Sequence, residues 1–330
     1  MKNITIDDIA RVAGVSKSTV SRVLNGTAKV HPDKKKAVEE ATERLGFQPN
    51  VVASSLARGR SMTIGVLTQL MGTPFYDAIS QGVIAEFNDT PYSPIFVDGQ
   101  WQKGEEVDAI RALIGRRVDG LVLIGGSVPS SEIANLCSGL PTVIVGRNLP
   151  GHKCVYMNNE ACAYEATKYL IAQGHRDIAV IRGLEHHQDA VDRFAGYQRA
   201  LLEAGLPLKQ ELVQSGDFSA DSGLEIVGDL LRRNVSFTAV LAANDLTAMG
   251  VRLALYRNDI PVPEKVSIIG FDDQLEAAYM SPPLTTVKQP SRKMGSYASQ
   301  CLLKMIDGKS IDSICVDGEL VQRESVASIQ

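Results

Sequence analysis

The chain has 330 residues, of which 44% are hydrophobic and 22% are charged, and its formal net charge is −4. This length predicts more than one hydrophobic core. No apolar run is long enough to cross a bilayer, and the amino-terminal residues lack the apolar stretch of a signal peptide. These features argue against a membrane or secreted protein and predict a cytoplasmic one.

Charge is distributed unevenly along the chain. Residues 1–61 contain eleven Lys or Arg against six Asp or Glu, and the remainder contains 23 against 32. A basic segment on an acidic body indicates that only the first segment binds a polyanion such as nucleic acid. The five cysteines are scattered without a CxxC pair, so we expect neither disulfides nor a metal site.

The first segment has the pattern of short helices. Thr5 and Asp8 are spaced as a capping box ahead of apolar residues at helical spacing. Ser16 is a suitable N-cap for a second helix that runs to about Asn25. A third helix opens near Pro32, because proline is tolerated in a first helical turn. The sequence therefore predicts a small all-α domain.

From Met62 onward, apolar runs alternate with helical patterns. Strands are predicted at residues 63–67, 94–97, 120–124, 142–145, 178–181, 239–242 and 266–269. Val- and Ile-rich strands separated by helices indicate parallel sheets covered on both faces. Roughly 270 residues exceed one small sheet, so we predict two α/β lobes with a cleft between them. A barrel of eight strand–helix units is the competing fold.

Three stretches resemble the signature of the lactose-repressor/galactose-repressor family of bacterial transcription regulators. They are residues 6–25 (IDDIARVAGVSKSTVSRVLN), 46–50 (GFQPN) and 53–57 (ASSLA). The resemblance extends over essentially the whole chain. It implies a helix-turn-helix DNA-binding domain at 1–48, a hinge helix and linker at 49–61, and an effector-binding and dimerisation domain at 62–330. The last would have a periplasmic-binding-protein-like fold, with lobe one at about 62–160 and 291–321 and lobe two at about 161–290 and 322–330.

The second helix of a helix-turn-helix enters the major groove of DNA. By resemblance to the family, Lys17, Ser18 and Arg22 are expected to contact bases, since arginine matches the two acceptors of guanine. Short polar side chains suited to phosphate oxygens complete the expected DNA contacts: Thr5, Ser16, Thr19, Ser21 and Asn25. The alternative interpretation is a solvated helix face with a capping serine.

Residues 50–58 form an amphipathic stretch of about two helical turns, which is marginal as an isolated helix. The resemblance implies a hinge helix that orders on the operator and pairs with its dimer mate in the minor groove. Leu56 would then kink the duplex as a wedge, and Asn50, Ala53 and Arg58 would contact the backbone or the groove. The alternative is a linker whose Leu56 packs on the sensor domain.

Polar and aromatic residues follow several predicted strands, and ligand sites in such sheets form at the carboxyl ends of strands. By their positions in family motifs, Arg193, Asn244 and Asp272 should hydrogen-bond the ligand, and Phe218 should stack on it. The expected effector site is completed by Phe75, Tyr76 and Arg147. A guanidinium, an amide and a carboxylate beside an aromatic face suit a sugar. A sugar phosphate or a nucleobase stays open.

Several residues near this predicted site have other interpretations. Phe75 and Tyr76 could instead pack the two lobes together. Asp245 and Asp273 are expected to be helix N-caps rather than ligand contacts. The neighbouring histidines at 186 and 187 are expected to be solvated.

The resemblance implies a sequence-specific transcription regulator that represses a carbohydrate-utilisation operon and whose operator affinity a small-molecule effector sets allosterically. A homodimer is expected, since no terminal leucine heptad supports a tetramer. Because a dimer reads two half-sites, its operator should be near-palindromic. We expect no cofactor and no enzyme activity, because the GxSxG, GxxxxGK[ST] and HExxH motifs are missing. The alternatives are a soluble sugar-binding protein or an enzyme of similar two-lobed fold.

Overall fold

The computed structural model describes residues 4–25, 29–47, 60–185 and 187–329. The chain forms two compact units, Met1–Ser61 and Met62–Gln330. The hinge residues expected to contact DNA, Asn50, Ala53, Leu56 and Arg58, lie outside the described residues, as does His186. Within the described ranges, no helix is long and apolar enough to cross a membrane.

Three helices occupy the described part of the first unit: α1 (Ile6–Ala13), α2 (Lys17–Asn25) and α3 (Pro32–Leu45). The predicted capping box is present, because the Asp8 carboxylate accepts from the Thr5 backbone N–H at 3.0 Å and from its hydroxyl at 2.8 Å. Ser16 Oγ accepts from the backbone N–H of Thr19 at 3.2 Å, which is the N-cap geometry predicted for α2. The predicted all-α arrangement is confirmed.

A small apolar core joins these three helices. Ile9 of α1, Val20 of α2 and Val38 of α3 are fully buried, and Ala10 and Ala41 pack beside them. The free cysteines all lie in the other unit. The described part of this unit therefore depends on a few aliphatic side chains for its stability.

Replacing Ile9 by alanine should destabilise this unit by about 2–5 kcal/mol, because it leaves a cavity in a core of very few side chains. Amide hydrogen exchange in α3 of the full-length protein should accelerate by at least about 30-fold. Ile6→Ala is the matched control, since Ile6 lies on the same helix and is 39% exposed. Equal exchange rates in the two variants would contradict this account of the core.

The first lobe of the second unit contains an open parallel sheet with the strand order β11-β5-β4-β3-β1-β2. Its strands are β1 (Thr63–Thr68), β2 (Ser93–Asp98), β3 (Gly120–Ile124), β4 (Thr142–Val145), β5 (Lys153–Met157) and β11 (Ile314–Val316). Its helices are α4 (Pro74–Phe87), α5 (Lys103–Gly115), α6 (Ser130–Leu136) and α11 (Ser291–Ile306). Helices α4 and α11 approach so closely that a Cβ on Gly82 would lie 1.9 Å from the Arg292 carbonyl oxygen.

The second lobe has the same architecture, with the strand order β12-β10-β9-β8-β6-β7. Its strands are β6 (Ile178–Arg182), β7 (Val213–Ser215), β8 (Ala239–Ala242), β9 (Ser267–Asp272), β10 (Thr285–Lys288) and β12 (Glu319–Val321). In the described sheet, β12 alone runs antiparallel to its neighbour. Its helices are α7 (Asn159–Ala172), α8 (Gln188–Glu203), α9 (Ala220–Arg232) and α10 (Asp245–Arg257). The prediction of two α/β lobes is confirmed, and the eight-unit barrel is wrong.

The chain passes between the lobes in three places. It crosses after β5, between β10 and α11, and between β11 and β12. The predicted lobe boundary at residue 321 is wrong by one strand, because Thr286 and Lys288 of β10 pair with Val321 and Glu319 of β12 in the second sheet. Such a short strand carries too little pattern in the sequence to show which sheet it joins.

His175 fastens the carboxyl-terminal segment to the second lobe. Its Nδ1 lies 3.0 Å from Thr238 Oγ1, and its Nε2 lies 3.1 Å from the Ala327 carbonyl oxygen. The side chain is fully buried. Burial lowers the pKa of His175 below its ordinary value of 6.5, although the hydrogen bond with Ala327 opposes the shift.

The free energy of unfolding should fall as the pH drops below about 6.5, in part because of His175. The unfolded chain protonates this ring near 6.5 and the folded chain only at lower pH, so the stability it contributes is complete above 6.5 and is lost as the pH falls. One proton limits the slope to about 1.4 kcal/mol per pH unit. Urea unfolding at pH 7.5 and 5.5 should show a smaller pH effect in His175→Gln than in wild type.

Candidate functional site

One candidate site is an exposed hollow in the first unit, where the start of α1 meets the start of α2. Thr5, Asp7, Lys17, Ser18 and Ser21 line it. Lys17 Nζ lies 2.6 Å from an Asp7 carboxylate oxygen, and both side chains are largely exposed. The hollow therefore presents hydroxyls and an ammonium group to solvent, which suits a phosphate-rich partner.

The remaining predicted DNA contacts divide into two groups. Arg22 is exposed on α2 and available to a ligand. Ser16 Oγ is already bonded within the unit, to Ser18 Oγ at 2.8 Å and Thr19 Oγ1 at 2.9 Å. Asn25 ends α2. Ser16 and Thr19 thus support the turn, and their role as phosphate contacts stays a prediction.

The second candidate site is a cleft between the two lobes, with a volume of about 480 Å³. This is the size of ordinary small-molecule sites. Both lobes contribute residues that follow the carboxyl ends of strands, as predicted for such sheets. The lining includes Phe75, Tyr76, Gln100, Trp101, His187, Asp189, Arg193, Asp217, Phe218, Asn244, Asp272, Gln274 and Gln289.

Arg193 is held rigidly at the base of this cleft. From α8, its Nε donates to Asn159 Oδ1 at 2.9 Å and its Nη1 donates to the Ala243 carbonyl at 2.6 Å. The guanidinium carbon lies 3.8 Å from the centre of the Phe271 ring. Two hydrogen bonds and a stacked ring fix the guanidinium plane, so its remaining N–H groups have a defined direction.

Asp272 ends β9 and is also pre-oriented. Its carboxylate accepts from Gln289 Nε2 at 2.6 Å and from Gln274 Nε2 at 3.1 Å. Burial raises the pKa of Asp272, and the charge of Arg193 opposes that shift. Asn244 caps α10, since its Oδ1 accepts from the Thr247 N–H at 2.9 Å. Its amide nitrogen is the group left to meet a ligand in the cleft that it lines.

A line of aromatic rings crosses the cleft from one lobe to the other. Trp101 of the first lobe and His187 of the second are stacked with centroids 3.6 Å apart, and Phe218 follows His187 at 5.5 Å. Phe218 lies flat against Gly183, where a Cβ would meet its ring at 1.9 Å. Tyr76 contacts Trp101 edge-on at 6.2 Å, so its ring belongs to the same wall.

Several cleft residues have backbone conformations that side chains rarely adopt. Phe218 and Asp272 have φ values of 69° and 112°, and Gln100 and Trp101 have values of 51° and 55°. Such conformations cost about 1–3 kcal/mol each and cluster where ligands bind. The fold therefore holds these four side chains in the cleft at a cost in the free energy of unfolding.

Three predictions about residues near the cleft are wrong. Asp245 is not an N-cap: it lies in the first turn of α10, and its carboxylate accepts from the Gln274 N–H at 2.8 Å. Asp273 is not an N-cap either, because Gln274 holds the cap position of the following 3-10 turn (Leu275–Tyr279), and Asp273 pairs with Arg323 at 2.6 Å. His187 is buried in the aromatic line rather than solvated.

Arg147 lies outside the main cleft. It lines a narrow recess beside it, of about 10 Å³, and its Nη1 donates to the Val128 carbonyl at 3.0 Å. Phe75 and Tyr76 line both the cleft and the recess, and they also pack on the core. Their positions are therefore consistent both with ligand contact and with packing. Within the described ranges, no group of His, Cys, Asp or Glu is arranged to hold a metal ion.

Sequence reasoning missed Trp101, Asp189 and Gln289. Trp101 follows β2, and Gln289 follows β10, so the carboxyl-end rule could have found both. Asp189 lies in the first turn of α8, four residues before Arg193, and one helical turn brings both to the cleft.

Two family models match the chain. Residues 5–50 match "Bacterial regulatory proteins, lacI family", and residues 167–326 match "Periplasmic binding protein-like domain". The chain is 33% identical to catabolite control protein A of Priestia megaterium, over 95% of its own length and 96% of the relative's. It is 35% identical to the HTH-type transcriptional regulator GalR of Escherichia coli (strain K12), over 98% of its own length and 96% of the relative's. A crystal structure of the lac repressor dimer bound to operator and the anti-inducer ONPF superposes with a TM-score of 0.92 at 27% identity, covering 99% of this chain and 100% of that one.

The helix-turn-helix unit and the two-lobed cleft define a DNA-binding transcription regulator that responds to a small-molecule effector. The chain belongs to the lacI family of bacterial regulatory proteins.

Proposed function

We propose that the protein is a repressor of carbohydrate-utilisation genes, and that a sugar in the cleft sets its affinity for a near-palindromic operator. The observation that carries this proposal is that Arg193, Asp272 and Asn244 line the same cleft as an aromatic wall. The guanidinium, the carboxylate and the amide can hydrogen-bond vicinal hydroxyls, and the aromatic rings can pack on the apolar face of a pyranose. Binding to operator DNA would place the protein in the cytoplasm.

Relatives support the carbohydrate assignment. One solved structure is a complex of the regulator CelR with cellobiose, at 32% identity and a TM-score of 0.73. Another is a family regulator from Enterococcus faecium with bound ribose, at 25% identity and a TM-score of 0.73. We infer that the cleft of this chain binds a carbohydrate without turning it over, and that the protein needs no cofactor.

Two steps test the proposed function. Selection from a random duplex pool with the full-length protein would yield its operator, which we expect to be near-palindromic. Fluorescence anisotropy would then measure operator affinity with and without sugars, sugar phosphates and purines. A sugar that changes the affinity at least tenfold supports the proposal. A purine that does so while every sugar is silent would contradict the carbohydrate assignment but not the DNA-binding one.

We propose that the protein acts as a homodimer, as the structurally similar lac repressor does in its operator complex. Exposed apolar side chains on α10 and on the following 3-10 turn (Leu275–Tyr279) supply a face for a second copy: Met249, Leu253, Tyr256, Leu275 and Tyr279. Arg252 Nε donates to the Ser281 carbonyl at 2.7 Å and links the two segments.

Tyr256→Asp should weaken this dimer by at least tenfold, because it places a charge in an apolar interface. Sedimentation velocity over a dilution series should show that the variant dissociates at a concentration at least tenfold higher than wild type does. Leu202→Asp is the control, since Leu202 is 78% exposed on a different helix. A Tyr256→Asp protein that dissociates at the same concentration as wild type would exclude this face.

A further inference from the structure

The charged groups that line the cleft are mostly acidic. Asp189, Asp217 and Asp272 supply three carboxylates, against the single guanidinium of Arg193. Asp217 lies at the exposed rim, where the Ser219 N–H donates to it at 2.9 Å. Asp189 and Asp272 are the two that face the enclosed part of the cleft.

The positive charge of Arg193 does not form an ion pair with these carboxylates. Two of its N–H groups are bonded to Asn159 and to the Ala243 carbonyl, and its face covers Phe271. In the described part of the chain, none of the ion pairs within 4.0 Å includes Asp189 or Asp272. The cleft thus holds more negative charge than nearby cations neutralise.

Of Asp189 and Asp272, Asp189 accepts fewer hydrogen bonds. Its carboxylate accepts from Asn159 Nδ2 at 3.2 Å, whereas Asp272 accepts from two glutamine amides. Burial raises the pKa of Asp189, the charges of Arg193 and Arg147 oppose that shift, and the charge of Asp192 adds to it. Arg147 in the adjoining recess is itself close to the buried Glu106, which offsets its charge. A cationic group in the cleft would relieve the cost of holding this half-buried carboxylate.

The walls of the cleft also suit a cation. Tyr76, Trp101 and Phe218 line it. His187 covers one face of Trp101, and uncovered ring faces attract ammonium groups. Tyr76 is enclosed beside both carboxylates, whose charges join burial in raising the pKa of its phenol. An anion would meet carboxylates and rings here, and Arg193 is the one Lys or Arg among the described residues that line the cleft.

We propose that the effector carries a protonated amine that pairs with Asp189, so that the cleft selects an amino sugar over the neutral sugar and rejects sugar phosphates. This inference rests on the proposed binding of a carbohydrate in the cleft. The amine would sit between the Asp189 carboxylate and the aromatic wall, while Arg193, Asn244 and Asp272 bind hydroxyls.

The test compares matched ligands on the full-length protein. The probes are D-glucose, D-galactose and D-mannose, each with its 2-amino-2-deoxy and 6-phosphate counterparts. Trp101 is the single tryptophan of the sequence and lines the cleft, so its fluorescence reports occupancy directly. For at least one of these sugars, we expect the amino form to bind at least tenfold more tightly than the neutral form, and the phosphate to bind more weakly than both.

Asp189→Asn should remove this preference, lowering the affinity for the amino sugar about tenfold and changing that for the neutral sugar by less than about twofold. Asp221→Asn is the matched control: Asp221 is an exposed carboxylate in the first turn of α9 and does not line the cleft. Thermal unfolding without ligand verifies that both variants are folded.

Three outcomes would overturn the inference. Neutral sugars could bind as tightly as their amino forms, a phosphate could bind most tightly, or Asp189→Asn could weaken both forms equally. In each of these the carbohydrate function survives. Silence of all nine ligands would contradict the inference, whereas the carbohydrate assignment would then be decided by the wider panel of the operator-affinity test.

Discussion

Replacing Arg193 by alanine should lower effector affinity by at least about 100-fold and make operator binding insensitive to the effector. Two causes add. The ligand loses a charge-assisted donor worth about 1.5–3 kcal/mol, and the pocket loses the group that fixes its geometry. The Asn159 side-chain oxygen and the Ala243 carbonyl also lose their buried donor, so unliganded protein should lose about 1–3 kcal/mol of stability.

The matched control for this experiment is Arg199→Ala. Arg199 is on the same helix, but its guanidinium is about 40% exposed, pairs with Glu160 at 2.6 Å and covers Tyr164. Exposed pairs contribute about 0–1 kcal/mol, so this variant should bind effector as wild type does. Isothermal titration of the panel sugar that binds most tightly by Trp101 fluorescence would compare the three proteins. An Arg193→Ala protein with wild-type affinity would show that the ligand binds elsewhere.

The sequence predicted the main features of the fold because its periodic signals are strong. Residues 178–182 and 239–242 are short apolar runs bounded by helical patterns, and both became buried parallel strands. Strand β12 was placed in the wrong lobe because its three residues have no such pattern, and only pairing with β10 decides its sheet. Local patterns thus specify elements better than they specify partners.

The candidate site was predicted in part, and its errors share a cause. Arg193, Asn244 and Asp272 follow strands or precede helices in motifs that a sequence displays. Trp101 and His187 meet only because the two lobes face each other, and no local pattern encodes a contact between residues 86 positions apart. Asp245 begins a helix, which is the position typical of a cap, but Asn244 performs that role and leaves Asp245 to bond Gln274 and Thr286.

Replacing Arg22 by alanine should cost about 1–3 kcal/mol of operator binding, a loss of about 5- to 150-fold, and should relax the preference for one base pair in each half-site. Arg22 is exposed on α2, the helix expected in the major groove, where its fork could bind the two acceptors of a guanine. A base contact differs from a phosphate contact in this respect, because losing the latter weakens binding to every sequence alike.

Arg44→Ala on α3 is the control, since Arg44 is an exposed arginine of the same unit on another helix. Anisotropy titrations on the selected operator and on its single-base variants, at two salt concentrations, would separate the two kinds of contact. Loss of discrimination at one position in Arg22→Ala, with the salt dependence nearly unchanged, identifies a base contact. Equal weakening on all sequences, with the slope of log affinity against log salt concentration smaller by about one, would instead make Arg22 a phosphate contact. The role of reading bases would then fall to Lys17 and Ser18, which line the hollow between α1 and α2.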